Sequence, residues 1–285
     1  MNSALDDPYF AKTDWQQRVD AWLNDPAHAD AFLDGNVQLV RQIMTHADSG
    51  LRMVINITAY ALLRFLADRA YRNLYESPQI GGERKQPSPE RLQVDQMLGF
   101  GADAKDYYFG AVALGGTGVR FYGEYCMVIK PLDVTPDTQV IDRDSYDLLL
   151  PPLSKHSGHE VFSRIVGKWA NDVVPMLTRK LLPDLLGTNR LITTGTVSEM
   201  ILHDQEFVEV HKRGPISSSS IEEVRQSPDE IAMEARIVAR GNAGFPPTGV
   251  ELRWIAQRNE VVRALEAEDL QYRIVTLHGR GYQWR

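Results

Sequence analysis

One short run of the chain combines the residue types that electrostatic or acid–base catalysis uses. Glu209 and His211 stand two residues apart in a run that begins at Phe207. Because side chains alternate between the two faces of a strand, all three would share one face. A glutamate and a histidine facing a packed core would be costly unless they were paired. The pattern therefore predicts that this face meets either solvent or a cleft.

Other candidates lie in two further segments. Arg120 precedes Tyr122 and Gly123 at the start of a strand-like run, and a hydroxyl-rich turn covers residues 193–199. Glu206 is a weaker alternative to Glu209. The spacing of three puts Glu206 and Glu209 on opposite faces of a regular strand, so both serve one site only across a bulge.

Several well-defined motifs are missing from the chain. It has no phosphate-binding P-loop, no H-E-x-x-H, no paired C-x-x-C and no G-x-S-x-G. The glycine-rich residues 115–118 lie between two strand-like runs and open no helix, which predicts a hairpin turn rather than a dinucleotide fingerprint. His156 and His159 have no further ligands nearby, so we expect a polar loop and no metal site.

Composition limits the class of protein. The 285 residues include 31 basic and 38 acidic side chains, a net charge of -7, which argues against a protein built mainly to coat nucleic acid. The single cysteine, Cys126, excludes an intramolecular disulfide and lies in an apolar run typical of a buried strand. We expect no signal peptide and no membrane span, because the apolar residues 51–66 are interrupted by charge. The expected location is the cytoplasm.

Apolar periodicity divides the chain into two parts. Residues 13–76 show helical spacing, including one long helix predicted over 51–75. Residues 77–90 are rich in proline, glycine and charge and are typical of a linker. We therefore predict a helical N-terminal region with its linker over 1–90 and an α+β domain over 91–285.

The second part alternates between the two element types. Strands are predicted at 107–114, 119–130, 138–141, 190–194, 207–212, 232–240, 249–254 and 272–277, and helices at 158–187, 197–203, 219–225 and 258–267.

Two segments of this part resemble bacterial ADP-ribosyltransferase-like toxin domains. One begins YGEYCMVIKP at Tyr122 and continues through residues 138–146, and the other reads FVEVHKRGPISSSSIEEV over residues 207–224. In that family a similar stretch has a glutamate on a strand, a glycine at the strand's end and then a short helix. The resemblance covers roughly residues 107–277.

The resemblance implies a mixed, mainly antiparallel split β-sheet core with flanking helices, and NAD bound in a cleft. Glu209 would be the catalytic glutamate and Arg120 the arginine that holds the dinucleotide. The other residues expected around NAD are Tyr122, Gly123, Thr194 or Ser198, and His211. A carboxylate suits the oxocarbenium-like state that forms when the glycosidic bond breaks, and an arginine fork matches pyrophosphate oxygens. The Ser-Thr-Ser and Glu-x-Glu elements of some subfamilies are absent.

Three functional interpretations remain open. The first is an NAD-dependent ADP-ribosyltransferase, a toxin or defence effector that modifies a protein or nucleic acid and has a neutralising antitoxin or immunity protein; an NAD glycohydrolase is a close variant. The second is a non-enzymatic α+β interaction module with a helical assembly region. The third is a hydrolase or nuclease that uses His156, His159 or His203. The transferase interpretation predicts that Arg120, Glu209 and residues 194–198 line one pocket.

Overall fold

A computed structural model of the chain describes residues 17, 20–21, 24–26, 34–45, 50–73, 75–76, 87–150, 165–186, 194–202 and 207–275. The α-helices of eight residues or more are α1 (Asp34–Thr45), α2 (Ala59–Asp68), α3 (Pro89–Met97), α4 (Trp169–Leu186), α5 (Thr194–Ile201), α6 (Pro228–Asn242) and α7 (Gly249–Ala267). The strands are β1 (Leu51–Ile57), β2 (Tyr107–Leu114), β3 (Tyr125–Ile129), β4 (Gln139–Ile141), β5 (Val166–Lys168), β6 (Glu209–Arg213), β7 (Ile221–Gln226) and β8 (Tyr272–Ile274).

The strands form one sheet in the order β5-β4-β6-β2-β1-β3-β7-β8. Neighbouring strands are antiparallel except β7 and β8, which are parallel. This confirms the predicted α+β class with a mixed, mainly antiparallel sheet. The resemblance implied a sheet split in two, whereas the described strands form one continuous sheet.

The long helix predicted over 51–75 is wrong, because its first half is β1, a central strand. β1 pairs with β2 on one side and β3 on the other, and six of its seven residues are buried. A strand buried on both faces is a continuous apolar run, which periodicity cannot distinguish from a buried helix. α2 begins only after Thr58, whose hydroxyl accepts a hydrogen bond from the Ala61 N–H. The sheet therefore crosses the boundary predicted at residue 90.

The helix predicted over 219–225 is also wrong, because this segment is β7. The serines do cap a helix, but it is the single 3₁₀ turn Ser218–Ser220, closed by reciprocal bonds between Ser217 and Ser220. The chain then becomes extended, with Ile221 and Val224 buried. Pairing with β3 outweighs the local helix signal, since tertiary contacts override weak propensities.

The strands predicted at 232–240 and 249–254 are wrong as well, because these residues lie inside α6 and α7. Ser227 caps α6, and Thr248 forms a capping box with Glu251 at the start of α7. Both helices are rich in alanine, glutamate and arginine, which favour helix, and largely exposed.

The other predictions agree better with the structure. β2, β4, β6, β8 and α5 lie close to their predicted positions, whereas β3 is shorter than predicted because residues 120–122 form a 3₁₀ turn. Of the helix predicted over 158–187, the described part is β5 followed by α4. Residue 194 begins α5 rather than ending a strand. Residues 190–193, His156, His159, His203 and Glu206 lie outside the described residues.

The main core lies against the centre of the sheet. All five residues of β3 are buried, so both faces of the sheet are covered there. α2 packs against α7, and α5 packs against β2 and α4. Apolar side chains from these helices join the strands in one cluster: Leu62, Phe65 and Leu66 of α2, Val261 and Leu265 of α7, Met176 and Leu177 of α4, and Val197 and Ile201 of α5.

Candidate functional site

A cavity of about 300 Å³ opens beside the middle of the sheet. Its wall includes aromatic rings from five segments of the chain, namely Tyr71, Phe109, Tyr122, Tyr146 and Phe207. The charged side chains in the wall are Arg91, Asp144 and Glu209. An apolar, concave site with a few convergent polar groups is the usual form of a small-molecule site, and this volume is at the lower end of that range.

Glu209 is a buried charged group of this wall that is held by several hydrogen bonds. It is the first residue of β6 and only 5% exposed. Its Oε2 accepts a hydrogen bond from the Ser145 N–H at 2.6 Å. Its Oε1 accepts from the Ser145 hydroxyl at 3.1 Å and lies 3.0 Å from His211 Nε2. The carboxylate is thus oriented from two sides before any ligand binds.

The sheet register explains how His211 reaches Glu209. Both residues lie on β6 with a spacing of two, so their side chains share a face, as predicted. The strands on either side place Phe109 and Gln139 directly opposite His211. The buried imidazole contacts the edges of Phe100 and Phe109, and Gln139 Nε2 lies 3.2 Å from Nδ1. If the Gln139 amide donates to Nδ1, the hydrogen on Nε2 points at Glu209.

The surroundings of Glu209 decide its charge. Burial raises the pKa of the carboxyl, but the hydrogen bond from His211, the Arg91 charge and the Ser145 N–H outweigh burial and hold the pKa below its ordinary value. Glu209 is therefore ionised at neutral pH. The face that the sequence assigned to solvent or a cleft is a cavity wall at Glu209 and closed interior at His211.

Arg91, on α3, is a second charged group that sequence reasoning missed. The guanidinium lies 4.0 Å from the Phe109 ring centre, and its Nη1 donates to the Ser145 hydroxyl at 3.3 Å. It also forms a buried ion pair with Asp95, one turn further along α3. The only signal in the sequence is the i,i+4 spacing of Arg91 and Asp95, which resembles an ordinary solvent-exposed pair.

Asp144 and Tyr122 form another part of the wall. The Tyr122 hydroxyl donates to Asp144 Oδ2 at 3.3 Å, and the Tyr146 N–H donates to Oδ1 at 2.9 Å. Burial and the negative charge of Glu209 raise the pKa of Asp144 to about 6. Burial and the charge of Asp144 also raise the pKa of Tyr122, so its hydroxyl stays protonated. The cavity therefore holds two carboxyl groups that protonate at different pH.

Gly123 serves the packing of the adjacent turn. A side-chain Cβ at this position would lie 2.0 Å from the backbone carbonyl carbon of Ile57, so only glycine permits this approach. The Asn56 amide donates to the carbonyl oxygens of Gly123 and Thr117, at 3.0 and 2.8 Å. These contacts hold the turn that presents Tyr122. Gly123 itself does not line the cavity.

Arg120 lies near the cavity but is turned away from it. Its Nη1 binds Asp229 at 3.1 Å and its Nη2 binds Glu230 at 3.0 Å, both at the start of α6. The two acids occupy the fork that was expected to hold a dinucleotide. Arg120 is not among the described residues that line the cavity.

The hydroxyl-rich turn also lies elsewhere. Thr194 is the first residue of α5, and Ser198 is buried within that helix, where its hydroxyl has no hydrogen-bond partner in the described part of the chain. Ser198 does not line the cavity. Of the predicted NAD contacts, the fold thus places Glu209 and Tyr122 in the wall with His211 directly behind Glu209, and it places Arg120, Gly123 and Ser198 outside the wall.

Three further observations concern the whole described chain. Within it, no group of three or more histidine, cysteine or acidic side chains is placed to hold a metal ion. Nor does any of its helices have the length and apolarity needed to cross a bilayer. Cys126 is buried in β3, and burial raises the pKa of its thiol to about 12, so it is no nucleophile.

Comparisons of the chain with protein-family models, with curated proteins and with solved structures found no match.

Proposed function

We propose that this protein is an NAD-dependent ADP-ribosyltransferase that moves ADP-ribose from NAD to a macromolecular acceptor. The observation that carries the proposal is the ionised, nearly fully buried Glu209, oriented by Ser145 and His211 in the wall of an aromatic cavity. The resemblance of two segments to bacterial toxin domains adds the role of a toxin or defence effector, neutralised by an antitoxin or immunity protein.

The reaction calls for such a carboxylate. As the bond between ribose and nicotinamide breaks, positive charge develops on the ribose. A negative group that is already held in position stabilises this charge without having to reorganise. Glu209 meets this requirement, because its three hydrogen bonds are already in place. The rings of Tyr122 and Phe207 offer flat surfaces for a cationic pyridinium ring.

Cavity size and charge favour one orientation of NAD. A volume of about 300 Å³ suits the nicotinamide ring with its ribose better than the whole dinucleotide. Arg91 is balanced by Asp95, so Glu209 and Asp144 leave the wall negative, which repels phosphate and attracts the cationic end. The pyrophosphate and adenosine would then lie outside the cavity. For Arg120 to hold them, it would have to exchange Asp229 and Glu230 for the pyrophosphate.

The experiment uses NAD labelled in its adenylate part, the purified chain and a cell lysate. We expect label to move to a macromolecule with the wild type and with Glu260→Gln, and not with Glu209→Gln. Glu260 is the matched control, because it is an exposed glutamate on α7. Release of nicotinamide without transfer would replace this proposal with an NAD glycohydrolase on the same scaffold.

An interaction module remains the second candidate because of one specific observation. The helices α6 and α7 and the loop between them expose large apolar side chains, namely Ile231, Met233, Val238, Phe245, Val250 and Leu252. Exposed apolar groups gathered in one region are typical of protein-binding surfaces. If the wild type neither binds nor consumes NAD, this candidate becomes the preferred one.

A further inference from the structure

We propose that Asp144 is the general base of the reaction and removes the proton of the acceptor group as it attacks the ribose. This inference rests on the proposed transferase function. It assigns separate tasks to the two carboxyl groups of the cavity, with Glu209 stabilising charge and Asp144 moving the proton.

Backbone connectivity places the two carboxyl groups side by side. Asp144 directly precedes Ser145, whose N–H and hydroxyl both bind Glu209. Both acids line the same cavity. The peptide between Asp144 and Ser145 thus sets the position of one carboxyl relative to the other, so a substrate held against Glu209 also lies beside Asp144.

The hydrogen bonds differ between the two acids. Glu209 receives three donors and is almost completely buried. Asp144 is only partly buried and receives two, from the Tyr146 N–H and the Tyr122 hydroxyl. A carboxylate has about four acceptor positions, so Asp144 retains capacity to accept a further proton donor.

The charges around Asp144 suit a group that exchanges protons near neutrality. Glu209 of β6 faces it, Asp147 and Tyr146 lie on its own 3₁₀ helix, and the Tyr122 hydroxyl donates to it. Burial and the two negative neighbours raise its pKa to about 6, while Glu209 stays ionised. Two carboxyl groups whose environments separate their pKa values are a recurring arrangement for dividing catalytic roles.

The proposed step balances as follows. The oxygen or nitrogen of the acceptor forms a bond to C1′ of the ribose. The bond from C1′ to the nicotinamide nitrogen breaks, and its electron pair neutralises the pyridinium. The proton of the acceptor passes to the Asp144 carboxylate and then to water. Nicotinamide leaves neutral, and Glu209 remains charged throughout.

Asp144→Asn separates this role from a structural one. Asparagine caps helices as well as aspartate, so it can still accept from the Tyr146 N–H. Its amide nitrogen takes the place of Oδ2 and can donate to the Tyr122 hydroxyl oxygen, whose own hydrogen then turns away. The variant keeps a partner for each group but loses the negative charge and the ability to take a proton. Asp137→Asn is the matched control, because Asp137 is an exposed aspartate that pairs with Lys168 and does not line the cavity.

The test measures nicotinamide release and transfer between pH 5 and 9, with the lysate acceptor and with sodium azide as a substitute nucleophile. Azide brings no proton to remove, so it needs no base. We expect Asp144→Asn to lower transfer to the lysate acceptor by roughly 10² to 10³-fold and to lose the decline below about pH 6. We expect azide to restore nicotinamide release in this variant, but not in Glu209→Gln.

Three results would overturn the inference, and each has a different meaning. If the wild type is active and Asp144→Asn matches Asp137→Asn in rate and pH profile, Asp144 is not the base, although the transferase proposal stands. If azide fails to rescue an inactive Asp144→Asn, the residue acts through structure rather than proton transfer. If the wild type releases no nicotinamide from NAD with either nucleophile, the transferase function fails and the assignment fails with it.

Discussion

Replacing Glu209 by alanine and by glutamine should have very different effects on stability. In Glu209→Ala three donors lose their acceptor, namely the Ser145 N–H, the Ser145 hydroxyl and the His211 ring nitrogen. A buried donor without a partner costs about 1 to 3 kcal/mol. Rotation of the Ser145 hydroxyl and entry of water from the cavity reduce this cost, so we expect the free energy of unfolding to fall by about 3 to 5 kcal/mol in total.

Glu209→Gln should lose much less folding stability than Glu209→Ala. The glutamine carbonyl can accept from the Ser145 N–H, and its amide can donate to the Ser145 hydroxyl and to His211 Nε2. The imidazole then carries its hydrogen on Nδ1 and donates to Gln139, whose amide turns over. Weaker neutral hydrogen bonds are offset by the removal of a buried charge, so we expect a change within about 1 kcal/mol.

Urea and thermal unfolding of the two variants test this reasoning, with Glu260→Ala as an exposed control. For a chain of this size the alanine variant should melt roughly 5 to 15 °C below the wild type. If Glu209→Ala and Glu209→Gln unfold at the same urea concentration, the carboxylate does not organise Ser145 and His211 as described. The outcome does not depend on whether NAD is the substrate.

Three further predictions concern other parts of the structure. The raised pKa of Asp144 means that its charge opposes folding above about pH 6 and that the penalty disappears as the pH falls from about 6 to near 4. Asp144→Asn should therefore add about 1 to 2 kcal/mol to the free energy of unfolding at pH 7.5, a figure reduced for solvent screening, and nothing at pH 4. Gly123→Ala should lower the free energy of unfolding, measured in urea, by more than about 3 kcal/mol, because its Cβ overlaps the Ile57 backbone. Gly214 has a φ of 89° and open space around it, so Gly214→Ala should lower the free energy of unfolding by only about 1 to 2 kcal/mol. Cys126 should react with a chromogenic thiol reagent only after urea unfolding, and rapid labelling of the native protein would contradict its burial in β3.

The sequence predicted the face of β6 that forms the site, but not its neighbours. Period-two spacing is enough to place Glu209 and His211 on one face, and the cost of burying charge indicates that the face is special. Ser145 and Arg91 are 64 and 118 positions away from Glu209 along the chain. Neither residue is marked by a local pattern. Ser145 reaches Glu209 because of the path that the chain takes after β4, and Arg91 reaches the cavity because its side of α3 packs against Phe109.

Arg120 shows how a local pattern misleads. An arginine before a strand is chemically suited to pyrophosphate, but its partner depends on which acids lie within reach. The first turn of α6 brings Asp229 and Glu230 to it across the fold, more than 100 residues later in the chain. Charge patterns along a sequence do not report such contacts.

The sequence by itself determined the α+β class, the positions of several strands with clear alternation, and the placing of Glu209 and His211 on one face. These depend on neighbours within a few residues. Tertiary structure alone decided that residues 51–57 form the central strand, that residues 221–226 join β3, and that Arg91, Asp144 and Ser145 meet Glu209. The reason is physical: a buried apolar run satisfies its backbone equally well in a helix or in a sheet, and only its partners, distant in sequence, decide between them.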